Sequence, residues 1–342
     1  RRVVRDLGFD LYRQIYVVYR KDKYREQIIT DISKWMRTHQ IIIDFGSHKS
    51  SIKCTLDELA QILRQYNVEQ LDDLICVRIG EMIVAELSGY SSVVQDDKVL
   101  VEYVPGRMGR LRGGNSDATR VLMEKDEVSY LNNPVHKYID SVDADGNRCK
   151  IEYNKLAPPL TDNQIASIAM FTREVSAHFN NARLEWYYSG DVLFGKDISI
   201  EEADLVYTSK TVNILSNGAA YGKCVHLTDV QVFDYLADQY DISLVPHSEL
   251  EEQVYNDNLY QEIVGKLREI GQPIIVLAPR PSLGHMLIAD YVSGFVFKQG
   301  AVLSHVGICL REKGVPALID PNLKQYKDGD IIQISPLGIR RC

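Results

Sequence analysis

The run from Gly300 to Ile319 constrains the fold of this chain more than any other stretch. It reads Gly-Ala-Val-Leu-Ser-His-Val-Gly-Ile-Cys-Leu-Arg-Glu-Lys-Gly-Val-Pro-Ala-Leu-Ile. Its local grammar is a glycine loop after a strand, a helix start, a Gly-Val-Pro stop and a new strand. Ser304 stands where an N-cap belongs, which makes His305 the first helical residue. A helix N-terminus presents unsatisfied N–H groups and partial positive charge, so an anion carried on His305 is stabilised there. The same field disfavours imidazolium and leaves the neutral ring as a nucleophile. A capping pair in an ordinary α/β domain is the plainer alternative.

Strands and helices alternate around this run. The spacing predicts a helix over Leu250–Ile270, stopped by Gly271 with Pro273 beyond, and a fully apolar strand over Ile274–Leu277. Ser282 caps a short helix ending before Gly294. Strands follow at Gly294–Phe297, Ala317–Ile319 and, as the last, Ile331–Ile334, with a helix at Ser304–Lys313. Residues 205–342 thus read as one α/β domain, bounded by the acidic stretch Ile200–Asp204. Before the boundary, a helix is expected over Leu56–Tyr66 with Thr55 as its cap, and another over 161–178 opening at Thr161 or Asp162. Strands are expected at Ile75–Val84 and Val99–Val104, with Asp96-Asp97 as a turn between them. A hairpin is expected from Arg183–Tyr188 and Val192–Phe194 around Ser189-Gly190-Asp191.

At 342 residues, 45% hydrophobic and 25% charged, the chain has room for about two globular domains. A net charge of −8 and a pI near 5.6 argue against general nucleic-acid binding. Residues 1–25 nevertheless hold eight Lys/Arg against three Asp, a basic segment suited either to a phosphate or to solvent. No apolar run reaches the ~18–20 residues of a membrane span, and no signal peptide precedes the start, so the expected location is the cytoplasm. The opening Arg-Arg-Val-Val, without Met, fits a fragment or a processed form. Cys54, Cys76, Cys149, Cys224, Cys309 and Cys342 show neither C-x-x-C pairing nor zinc spacing and are expected as reduced thiols.

The run from Gly300 resembles the phosphohistidine swivelling domain of the phosphoenolpyruvate-utilising enzymes, the pyruvate phosphate dikinase family. That pattern is roughly G-G-x-T-S-H-A-A-I-x-A-R-E-x-G-I-P-A. Gly300, Ser304, His305, Ile308, Arg311, Glu312, Gly314, Pro316 and Ala317 match, while Ala301 and Leu303 replace the second Gly and the Thr. The resemblance reaches back through Pro273–Pro281 to Leu215-Ser-Asn-Gly-Ala-Ala-Tyr-Gly222, about 130 residues. Upstream, Glu81–Tyr90 is similar to the adenine-facing strand and hinge of the ATP-grasp domain of the same enzymes. This places backbone contacts to the nucleotide around Met82 and Ile83. Val101–Gly109 resembles the I-E-x-x-x-G-L-G strand and loop, with Glu102 as its acid. Asn181–Tyr188 resembles the I-E-W strand, whose Glu, a magnesium ligand, falls on Glu185. A Q-x-R-P motif then belongs one strand later. Gly195 and Asp197 stand in place of its Gln and Arg, and Lys196 offers only a point charge.

The resemblance implies a mixed α/β and α+β chain. A partial ATP-grasp domain over 1–203, its N-terminal lobe short or missing, precedes a swivelling β/β/α phosphohistidine domain over 204–342. It implies ATP and Mg²⁺ as cofactors, Glu102 and Glu185 at the metal, and Met82, Ile83 and Lys196 at the nucleotide. His305, with Ser304, would take the β-phosphoryl group and swing it to an unknown small-molecule or protein acceptor. The phosphoenolpyruvate-binding barrel lies outside the resemblance. Alternatives are a catalytically degenerate nucleotide sensor or scaffold, and one subunit of a split enzyme completed by a partner chain or a second copy. Neither nucleic acid nor membrane is an expected partner. Arg1–Arg5 and Gly46–Lys53 are candidate pieces of the missing lobe. Among weaker signals, Ser141–Gly146 with Glu152 approximates a calcium loop but also reads as a turn between Tyr138–Val142 and Cys149–Tyr153. His48 fits a surface loop, His285 a helix opening, and Arg107, Arg110 and Arg112 either an anion loop or a solvated turn.

Overall fold

The computed structural model describes residues 10–11, 14–20, 26–36, 40–44, 52–69, 74–94, 97–108, 111, 117–124, 127–142, 148–200, 213–239, 257–271 and 273–342. Arg1–Arg5, His48, Arg110, Arg112, the centre of the calcium-like loop and the expected boundary at 201–204 lie outside them. The chain opens with β1 (Asp10–Leu11), β2 (Gln14–Arg20), α1 (Glu26–Trp35), β3 (Gln40–Asp44), β4 (Ile52–Thr55), α2 (Leu59–Glu69) and β5 (Leu74–Glu81). Next come β6 (Leu87–Val94), β7 (Lys98–Pro105), β8 (Thr119–Glu124), β9 (Glu127–Asn132), β10 (Val135–Val142), β11 (Arg148–Leu156), α3 (Asp162–Ser176), β12 (Ala182–Ser189) and β13 (Val192–Ile200). The last part holds β14 (Asn213–Ser216), β15 (Ala220–His226), α4 (Val230–Gln239), α5 (Asn258–Ile270) and β16 (Ile274–Ala278). A 3-10 helix (Leu283–Tyr291), β17 (Gly294–Phe297), α6 (His305–Glu312), β18 (Ala317–Ile319), β19 (Ile331–Ser335) and β20 (Gly338–Arg341) complete it.

The described residues between 14 and 81 build a sheet and core of their own, in the span where the lobe is expected to be short or missing. Its sheet order is β2-β5-β3-β4, all antiparallel. Ile32 from α1 and Met36 just beyond its end, with Leu59, Leu63 and Tyr66 from α2, close its core over Ile41, Ile43, Val77 and Ile79. Thr55 and Glu58 cap α2 reciprocally: the Thr55 N–H donates to Glu58 Oε2 at 2.8 Å, and the Glu58 N–H to Thr55 Oγ1 at 3.3 Å. The intervening residues form the capping turn, so the helix is counted from Leu59 rather than from Leu56.

The second sheet has the order β1-β13-β12-β6-β7-β8-β9. Residues 82–85 are not strand, so the expected strand at 75–84 stops at Glu81, and β6 is an extra strand ahead of β7. Gly190, at φ 58°, permits the tight β12–β13 turn. One face of this sheet, with Val99, Val101, Tyr103, Leu184, Trp186 and Tyr188, is covered by α3. The Thr161–Gln164 capping box opens that helix where its sequence predicts. β10 and β11 form a separate two-stranded arm.

The third sheet runs β14-β18-β17-β16-β15-β19-β20, with β15 through β18 parallel to one another. Among the described residues no sheet takes strands from both sides of 201–212. α5 begins at Asn258 because Asp257 caps it, and Gly271 in the left-handed region ends it. α4 and the final strand β20 carried no signal in the sequence reading. His285 opens the 3-10 helix as expected, but as a core group. It is 0% exposed, stacked on Phe233 with centroids 4.2 Å apart, and burial pushes its pKa down to about 4. No helix among the described residues is long and apolar enough to cross a membrane.

Candidate functional site

α6 starts at the carboxyl end of the parallel strands, the edge where open α/β sheets gather their functional loops. Its N-cap is Ser304, whose Oγ accepts from the Gly307 N–H at 3.3 Å, so His305 is the first helical residue. Gly307 lets the helix press onto the loop ahead of it: a Cβ there would come 2.5 Å from the Val302 carbonyl oxygen. Arg311 reaches back along the helix and donates to the carbonyls of Leu215 (2.7 Å) and Val302 (3.0 Å), fixing helix, loop and β14 together. His305 is half-buried, and Cys309, one turn on, has its Sγ 4.0 Å from His305 Nε2.

The loop from Gly300 to Ser304 lies against the second sheet, on the face opposite α3. Ala301, Val302 and Leu303 share a buried cluster with Tyr90, Leu100, Val104 and Tyr187 of that sheet. Cross-strand register sets Glu185, Tyr90, Glu102 and Arg120 side by side across β12, β6, β7 and β8, hence on this same face. Glu102 is 0% exposed. Its Oε1 accepts from Arg120 Nε at 2.7 Å and from the Val302 N–H at 2.9 Å, and its Oε2 from the Leu303 N–H at 2.7 Å. Arg120 also donates to the Gly300 carbonyl at 3.2 Å, and the Gly300 N–H donates to Asp117 Oδ1 at 3.0 Å. Arg183 donates to the Leu303 carbonyl at 2.5 Å. A segment 180–201 residues away in the chain is thereby held at both its N–H and its C=O groups.

Ser304 and His305 therefore stand at the end of a loop anchored by Glu102. Glu102 and Glu185 share a face, but Tyr90 stands between them, two strand spacings or roughly 10 Å apart. In this arrangement the Glu102 oxygens serve the loop and Arg120. Glu185 is ion-paired with Lys196, which also lies over the Tyr187 ring at 5.3 Å. Among the described residues no three His, Cys, Asp or Glu side chains gather as a metal site. Met82 and Ile83 lie in the 82–85 linker that joins the small lobe to the second sheet, and the Ile83 carbonyl accepts from Arg107 at 3.5 Å. Asp117, Arg120 and Arg183 escaped the sequence reading. For Arg183 a signal existed: it lies two residues before Glu185 on one strand, and period two puts both on one face.

Asp117 is the titratable part of this anchor. Burial pushes its pKa up to about 6, with the Gly300 N–H and the Arg120 charge opposing and the Glu102 charge adding. The folded chain thus keeps a proton on Asp117 between about pH 4 and 6 that the unfolded chain releases. Its contribution to stability is present at low pH and is lost as pH rises through that window. His285, with its pKa lowered, acts in the opposite sense. Asp117→Asn keeps an acceptor for Gly300 but cannot ionise. The melting temperature of the variant minus that of wild type should be more positive at pH 7 than at pH 4.5. Equal differences at the two pH values would refute the assignment.

No protein-family model matches the chain, and no curated protein does. Among solved structures it is similar to a macrocyclase of Microcystis aeruginosa bound to its precursor peptide, at 10% identity and a TM-score of 0.31, over 58% of this chain and 49% of that one. A D-alanine–D-alanine ligase of Bacillus anthracis gives 10% and 0.32, over 58% and 55%. The ATP-grasp ligase PsnB in complex with minimal precursor, Mg and ADP gives 10% and 0.29, over 58% and 47%. The chain spans about half the length of these proteins. Likeness at these scores decides no chemistry.

Proposed function

We propose that this chain is an ATP-dependent phosphotransferase that carries a phosphoryl group on His305. One observation supports the reading above the others: the loop leading into His305 is held, by partners 120 to 201 residues away, on the sheet face that bears Glu102 and Glu185. By resemblance that face belongs to the nucleotide, and a phosphoryl carrier has to visit it to be loaded. A neutral imidazole nitrogen of His305 attacks a phosphorus of ATP. The N–P bond forms to the β-phosphorus, the bond from that phosphorus to the α,β-bridging oxygen breaks, AMP leaves with the electron pair, and water then takes the γ-phosphoryl group as inorganic phosphate, which leaves the β-phosphoryl group on the ring. The ring proton passes to solvent. Catalysis of this kind is mostly positioning and charge neutralisation. The small lobe, the linker at Met82 and Ile83, and Lys196 are the proposed nucleotide contacts.

Mg²⁺ accompanies ATP in this reading and supplies charge neutralisation at the phosphates. Glu185 fits as one hard oxygen ligand, the phosphates and water completing the shell. Glu102 does not fit while the loop is docked, because a guanidinium and two N–H groups occupy its oxygens. Release of the loop toward the acceptor would free that carboxylate. The occupied Glu102, together with Asp197 in place of an arginine, favours a second reading, a nucleotide sensor that has lost transfer.

The test is incubation of the full chain with ATP labelled at the β-phosphate, with and without Mg²⁺. Acid-labile, base-stable label on the protein is the expected result. ATP binding in calorimetry with no label under any condition would move the assignment to the sensor.

A further inference from the structure

Arg183 is a buried cation without a counter-charge. It is 6% exposed, it makes no ion pair among the described residues, and its Nε has no hydrogen-bond partner. Its remaining donors go to neutral oxygens: the Leu303 carbonyl, at 2.5 Å, and Ser199 Oγ, at 2.9 Å. The guanidinium lies over the Tyr90 ring, 4.4 Å from its centroid. Arg120, one strand beyond Glu102 on the same face, differs in having a carboxylate at 2.6 Å. An arginine cannot shed its charge by deprotonation, and burying an uncompensated ion is destabilising.

Its position says which ion it awaits. Leu303 stands two residues ahead of His305, so the guanidinium meets the backbone at the start of α6. Cys309, whose Sγ is 4.0 Å from His305 Nε2, also feels the Arg183 charge. Burial first and the Glu312 charge second push that thiol up to about 11, while Arg183 and Arg311 pull it down. A buried guanidinium with no ion pair among the described residues therefore meets, at Leu303, the segment that leads into a helix N-terminus with a histidine at its first position. Helix N-termini and arginine forks both bind the oxygens of anions such as phosphate.

We infer that Arg183 and the first turn of α6 form a phosphate-binding seat, assembled across the two halves of the chain, that holds the phosphoryl group on His305. The inference rests on the phosphotransferase reading for its occupant, while the seat itself can be tested with inorganic phosphate. Arg183 binds the phosphate; it takes no proton and forms no bond to phosphorus.

Two measurements on the full chain test this. In the first, wild type, Arg183→Gln and Arg183→Lys are titrated with inorganic phosphate at constant ionic strength, chloride serving as the control, and the melting temperature is followed. Wild type should be stabilised by phosphate beyond chloride, Arg183→Gln should bind it about tenfold or more weakly, and Arg183→Lys should fall between. In the second, the rate of label uptake from ATP and the half-life of the labelled protein are compared, and both should fall about tenfold or more in Arg183→Gln. Phosphate binding that depends on Arg183 while wild type takes no label would sustain the seat and sink the phosphotransferase. Label uptake with equal rates, half-lives and phosphate affinities in all three proteins would overturn the seat and leave the phosphotransferase standing. If Arg183→Gln does not fold, the Arg183→Lys comparison decides: equal phosphate affinity and label half-life to wild type would overturn the inference.

Discussion

Arg120→Ala is expected to lower the unfolding free energy by about 3–5 kcal/mol, the cost typical of breaking a buried ion pair from one side. The substitution leaves Glu102 charged, 0% exposed and without its guanidinium, held only by the Val302 and Leu303 N–H groups. It also takes a donor from the Gly300 carbonyl. Part of the loss can be escaped if the loop lifts and water reaches Glu102. The second readout is therefore amide exchange at Val302 and Leu303, which should quicken. Removing both charges together, as Glu102→Leu with Arg120→Met, leaves no orphan charge but strands the Val302 and Leu303 N–H groups without their acceptor, so only part of the loss should return. Urea unfolding of the full chain measures the first effect. A loss below about 1 kcal/mol, the size of an exposed pair, with unchanged exchange at both amides would show that Glu102 and Arg120 do not anchor the loop.

His305→Ala should reduce label from ATP to background while the protein stays folded. The ring is half-buried at the first position of α6, and the helix cap belongs to Ser304. The melting temperature should therefore stay within about 3 °C of wild type. Ser304→Ala differs in kind: it removes the cap from the Gly307 N–H and should cost about 1 kcal/mol, with label reduced but present. Undiminished label on a folded His305→Ala protein would mean that another residue is the nucleophile.

Features governed by neighbours in the chain were legible in the sequence. The start of α6 at His305, the opening of α3 at Thr161, the left-handed stop at Gly271 and the strands Gly294–Phe297 and Ala317–Ile319 all follow from caps, glycines and apolar runs a few residues long. Of the small lobe, one helix and one strand were legible, but not their assembly. Its sheet pairs β2 with β5 and β5 with β3, so its order does not follow the chain, and the short runs of β3 and β4 carry little periodicity. Legibility at the site divides in the same way. Ser304 and His305 announce themselves, whereas Arg183 was missed although alternation along β12 puts it on the face of Glu185.

The role of Glu102 was decided elsewhere. Its type and strand were readable, and its resemblance pointed to a metal. Its partners are Arg120, brought opposite by the β7–β8 register, and two backbone N–H groups 200 and 201 residues away. The sequence by itself determined which residues can be charged, which can cap and which must be buried, because those properties belong to a residue and its nearest neighbours. The tertiary structure alone decided which charge meets which. Burial removes the water that would otherwise satisfy a carboxylate or a guanidinium, and the partner that replaces it is whatever the sheet register and the docked loop bring within about 3 Å.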